Sequence, residues 1–122
     1  MKRRPALVFA AIAASAAVLI AAPLSSASPA QADAVAYLVN VTVRPGYNFV
    51  NADAALSYGR GICDAVTGGR SYAAVMGDVK ADFATSDEYQ ASYLITQAVG
   101  ELCPELIWQL RNSAAHYPPP SP

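Results

Sequence analysis

The residues of this 122-residue chain with most chemistry to offer are two cysteines, one histidine and two pairs of closely spaced carboxylates. A redox-active cysteine pair wants Cys-x-x-Cys spacing, so that one thiol can resolve the other. Cys63 and Cys103 stand forty positions apart and read instead as a structural disulfide, provided the compartment is oxidising. Nucleophilic hydrolysis wants a Ser or Cys beside a base. The chain has no G-x-S-x-G, and its single histidine, His116, borders a proline tail, where it reads as a solvated residue. Zinc needs several His or Cys ligands together, which this inventory does not supply. Asp78 with Asp82, and Glu101 with Glu105, sit four apart, so each pair would share a helix face and could divide acid and base roles. The same spacing is common on any solvated helix, which is the reading taken here. Gly68-Gly69-Arg70-Ser71 could cradle an anion with backbone N–H groups and a guanidinium. It lacks the G-x-x-x-x-G-K-[ST] pattern, and a helix stop followed by an N-cap explains the same letters.

The aromatic residues are the other resource. Of seven tyrosines, three phenylalanines and one tryptophan, Tyr58, Tyr72, Tyr89, Tyr93 and Trp108 fall in segments with helical periodicity. A pocket between helices could take an apolar ligand such as a lipid or a tetrapyrrole, the latter with a tyrosinate on iron; packing of a small core is the plainer use of the same rings. Pro118-Pro119-Pro120 after Tyr117 could serve as a polyproline ligand or a spacer, but reads first as a disordered end.

These side chains need elements to hold them. Asn51 or Asp53 caps a helix in which Ala55, Leu56, Gly59, Ile62, Cys63 and Val66 recur at helical spacing, and Gly68-Gly69 ends it. Ser71 caps a second helix with Tyr72, Val75, Met76, Val79 and Phe83 on one face. Thr85 and Glu88 form a capping box for a third, whose stripe is Ala91, Leu94, Ile95, Ala98 and Leu102. Pro104 stops or kinks it, and a short final helix is expected through Leu106, Ile107, Trp108 and Leu110 to about Ser113. The β-branched run Leu38-Val39-Asn40-Val41-Thr42-Val43, followed by Arg44-Pro45-Gly46-Tyr47, could be a hairpin. A lone hairpin has little to pair with beside helices, so a short helix over Ala34 to Val41 is preferred.

The chain opens on Lys2, Arg3 and Arg4, then an uncharged apolar run from Ala6 to Ala22, then small residues closing on Ala30-Gln31-Ala32 before Asp33. This is the pattern of a secretory signal over residues 1–32, cleaved between Ala32 and Asp33, and the first cysteine lies too far on for a lipoprotein. No stable membrane anchor is expected after cleavage. The remaining 90 residues carry five basic and nine acidic side chains, net −4. An acidic surface excludes nucleic acid as a partner, since its phosphates need a basic stripe. A core of this size is marginal, and a disulfide closing 41 residues would restrict the unfolded chain by about 4 kcal/mol.

The export pattern, the run Ala55-Leu56-Ser57-Tyr58-Gly59-Arg60-Gly61-Ile62-Cys63-Asp64 and the later Cys103-Pro104 together resemble small exported actinobacterial proteins, the domain of unknown function 732 family. The resemblance spans about residues 33 to 104. It implies an all-helical fold with the two cysteines paired and transfers no activity or cofactor; the β-looking Asn40 to Val43 departs from the pattern.

The expectation is an all-α domain of four to five helices over 33–115 with one disulfide, Cys63 to Cys103, and a disordered tail over 116–122. It would be secreted to the extracellular space or cell envelope. There it would act as a non-enzymatic binding or interaction module for a small apolar ligand or an envelope protein. The alternative is a small carboxylate-dependent envelope hydrolase.

Overall fold

A computed structural model describes residues 29–118. The proposed export segment over 1–32 therefore lies outside the described residues, apart from the backbone of its last four. Residues 119–122 of the tail lie outside them as well.

Five α-helices follow in order: α1 Pro29–Val43, α2 Ala52–Thr67, α3 Tyr72–Asp82, α4 Glu88–Gln97 and α5 Ile107–Ser113. No strand occurs among the described residues. A π turn, Ala98–Leu102, extends α4, and a 3-10 turn, Pro104–Leu106, leads into α5. Helix α1 settles the ambiguous segment as helix, running two residues past Val41. Its Asn40, which weakens a helix in isolation, donates from Nδ2 to Gln97 Oε1 at 2.7 Å and so ties α1 to α4. Its inner face buries Tyr37 and Val41, while Val35, Val39 and Val43 stand exposed on the other.

Caps mark where the helices begin. Asn51 accepts from the Ala54 N–H at 2.8 Å and Ser71 from the Ala74 N–H at 3.2 Å. The third cap corrects the sequence reading. Asp87, not Thr85, closes the first turn of α4, its Oδ1 accepting from the N–H groups of Tyr89 and Gln90. Thr85 Oγ1 instead accepts from the Asp87 N–H, one step upstream.

The sequence stripes form the core: Ile62 and Val66 of α2, Val75, Met76 and Val79 of α3, and Ala91, Leu94 and Ile95 of α4 are all buried. The π turn adds one residue to a helical turn and so rotates the face that follows. Ala98 and Val99 both turn inward, while Leu102 is only half-buried. Cys103 then reaches Cys63, and the two form a disulfide. Where α1 crosses α2, Gly59 leaves room for Tyr37. The Tyr37 hydroxyl donates to the Ala55 carbonyl at 2.8 Å, and burial pushes its pKa up to about 12.

The loop from Arg44 to Val50 is pinned by aromatics. Tyr47 donates to the Gln90 carbonyl at 2.5 Å. Phe49, Tyr58 and Phe83 meet with ring centroids 5.2 to 5.8 Å apart, holding the loop to α2 and the end of α3.

Candidate functional site

An open groove of ≈ 540 Å³ lies between α2 and α3. Helix α2 supplies Ala54, Ser57, Tyr58, Gly61, Ile62 and Ala65, and α3 supplies Val75, Asp78, Val79 and Asp82. Both sets recur at steps of three and four, so each is one continuous helix face. The groove exists because the α2 face is built of small residues. A Cβ added at Gly61 would meet nothing within 4 Å, in contrast to Gly59 two residues earlier, where it would strike Tyr37. Ile62, Val75 and Val79 are buried and form an apolar floor.

The rim is acidic. Asp78 and Asp82, paired from sequence by spacing alone, do stand on one wall of the same groove. Arg70 donates to Asp78 Oδ2 from Nε at 3.0 Å and from Nη2 at 2.6 Å. The Tyr58 hydroxyl donates to Asp82 Oδ2 at 2.7 Å. Burial raises the Tyr58 phenol well above its ordinary range, and the Asp82 bond adds to the shift. Both carboxylates are exposed, in contact with water rather than enclosed in the apolar setting that suits a general acid.

The second pair is not brought together as expected. Glu101 lies in the π turn and Glu105 in the 3-10 turn, with Cys103 between them at φ −147° and ψ 59°, so no helix face is shared. Gly68 closes α2 and Gly69 takes φ +96°, while Arg70 turns to Asp78; the glycine-rich stretch acts as a helix stop and cap. His116 is exposed. Among the described residues no group of three or more His, Cys, Asp or Glu could hold a metal ion, and no helix is long and apolar enough to cross a membrane.

The tyrosines divide between packing and hydrogen bonding. Tyr37, Tyr47 and Tyr58 each donate the hydroxyl proton to an oxygen of the chain, and all three have raised pKa values with burial as the first cause. That setting favours the phenol and works against a tyrosinate ligand for iron. Tyr93 lies under the Arg44 guanidinium, 4.2 Å from ring centroid to Cζ. Trp108 is exposed, with Arg111 over its ring.

Tyr117, assigned with the tail from sequence, belongs to the folded body. Its ring meets Tyr72 edge-on at 5.0 Å, and its hydroxyl donates to Glu88 Oε1 at 2.7 Å. Glu88 Oε2 receives Lys80 Nζ. Lys80 first, then Tyr117, hold the Glu88 carboxyl below the usual carboxylate range. A carboxyl with a depressed folded pKa stabilises at pH above its unfolded value, and that contribution is lost as pH falls through the folded value. Wild type should therefore exceed Glu88→Gln in free energy of urea unfolding at about pH 7, by no more than about 1 kcal/mol, and the two should converge at a pH below the folded value. An equal gap at both would refute this account of Glu88.

Sequence reading missed Ser57, Gly61 and Ala65 as site residues. Their signal was present as a second helical stripe on α2, offset from the buried one and made of small residues.

A family model described as Protein of unknown function (DUF732) matches residues 26–105. No curated protein and no solved structure compared with the chain gives a match.

Proposed function

The chain belongs to the family described as Protein of unknown function (DUF732), and on that premise we propose that it is an exported, non-enzymatic binding module whose α2–α3 groove receives an apolar ligand. The observation that carries this reading is the groove itself. Its volume of ≈ 540 Å³ lies within the range of small-molecule sites, and an apolar floor flanked by a few polar groups is their usual make-up. The export part rests on the N-terminal pattern, to which the Cys63–Cys103 disulfide is chemically suited.

The binding reading is tested with protein purified from its native secretome. Native mass spectrometry should show a stoichiometric small molecule on the wild type and none on Gly61→Trp, whose indole would fill the groove. The bare polypeptide mass in both samples would sink the proposal. The same spectrum reports export: a chain beginning at Asp33 and lighter by the two hydrogens of the disulfide is expected.

One observation favours the second reading, a carboxylate-dependent hydrolase: Asp78 and Asp82 share the groove. Their bonds to Arg70 and Tyr58 and their open rim position make it the weaker of the two. Turnover of envelope polymers that disappears in both Asp78→Asn and Asp82→Asn would reverse that ranking.

A further inference from the structure

We propose that the groove selects cationic amphiphiles: ligands with an apolar chain ended by an ammonium or guanidinium group, the chain over Ile62 and Val79 and the cation at Asp82. This rests on the reading of the α2–α3 groove as a binding site and adds the chemical class of its occupant.

Size comes first. The α2 stripe from Ala54 to Ala65 runs about 16 Å at 1.5 Å per residue. A helix of that length and about 10 Å across fills about 1,300 Å³, well over twice the ≈ 540 Å³ present. A single extended chain fits; a docked helix could insert only one row of side chains. Gly61, with open space where its Cβ would be, leaves the α2 wall without a side chain in that chain's way.

Charge then sets the end group. The ionised side chains at the groove are Asp78 and Asp82, with Arg70 bonded to Asp78. The pair Asp78–Arg70 is close to neutral, so the uncompensated charge is the negative one at Asp82. The Tyr58 hydroxyl occupies Asp82 Oδ2, and among the described residues no protein donor reaches Oδ1. A cation on the ligand would complete that carboxylate with a charge-assisted hydrogen bond, which an alcohol makes more weakly and a carboxylate not at all. An anionic amphiphile would bring like charge to the same rim. The excess of acidic over basic residues after residue 32, nine against five, favours approach of cations from a distance as well.

The experiment titrates decylammonium, decanoate and decanol, each below its self-association concentration, into the disulfide-bonded protein by calorimetry. The expected order is decylammonium tighter than decanol by about tenfold, and decanoate weakest. Asp82→Asn should remove most of the decylammonium advantage and leave decanol unchanged. Asp78→Asn supplies an independent arm: it leaves Arg70 without its carboxylate, and the preference should move toward decanoate. Gly61→Trp should abolish binding of all three, with unchanged helical circular dichroism showing that the variants fold. Equal affinities for the three probes, lost in Gly61→Trp, would overturn the charge selection and leave the groove reading standing. Affinities indifferent to Gly61→Trp would overturn both.

Discussion

Replacing Cys63 and Cys103 together by alanine is expected to lower the free energy of unfolding by about 4 kcal/mol. The disulfide spans a sequence separation of 40, linking α2 to the end of the π turn that prolongs α4. Without it the unfolded chain regains the freedom of a long loop, while the folded chain loses only two sulfur atoms from a buried position. A domain of this size has a total stability of about 5 to 10 kcal/mol, so the loss takes a large part of the whole. Urea unfolding of the oxidised wild type and the double variant, followed by circular dichroism, measures the difference. A gap under about 1 kcal/mol would show that the unfolded chain is already compact around this link, and the loop argument would fail.

Gly59→Ala is the second large effect, and its interest lies in a control of opposite sign. A Cβ at Gly59 would lie 2.6 Å from Leu102 Cδ1, 2.7 Å from Tyr37 Cζ and 2.8 Å from the Tyr37 hydroxyl oxygen. Leu102 is half-buried and can swing aside. Tyr37 is fully buried, with its hydroxyl held by the Ala55 carbonyl, and cannot move without breaking that bond or shifting α1. Overpacking of this kind costs about 1 to 3 kcal/mol, against about 1 kcal/mol gained from alanine's helix propensity. The net is a loss of up to about 2 kcal/mol, toward the upper end because Tyr37 cannot yield. Gly77, in α3, has open space where its Cβ would go, so Gly77→Ala should stabilise by up to about 1 kcal/mol. Thermal melts of the two variants decide the matter; shifts of the same sign would refute the crossing as the reason for Gly59.

Much of this architecture was legible because the helices are amphipathic and their caps are written in short polar residues. The stripes through Ile62 and Val66, Val75 and Val79, and Leu94 and Ile95 lie where the spacing puts them. The third stripe drifts at its end because a fixed period of 3.6 cannot anticipate an extra residue, and the π turn buries Val99 in place of Leu102. Around Asn40 local pattern left helix and hairpin both open, with helix preferred. The poor helix propensity of Asn40 is outweighed by a bond to Gln97, a partner far along the chain that local pattern cannot reveal. Tyr117 was hidden by its proline neighbours, which say that the chain is not helical there but not that a ring can dock. Of the groove, spacing revealed the shared face of Asp78 and Asp82. It could not reveal that α2 presents small side chains to that face, because a cavity depends on the distance between two helices and not on either sequence alone.

Helix α1 also bears on the order in which the molecule can be completed. Its inner face packs on α2, α4 and the π turn, so a chain delivered N-terminus first presents Tyr37 and Val41 long before residues 98–102 exist to cover them. Until then α1 has only part of its site, with its valines on the far side exposed throughout. A late-made turn of the core is thus also the one that fastens the first of the described helices, and the cysteine that locks it, Cys103, comes directly after. Folding of this kind waits for nearly the whole chain.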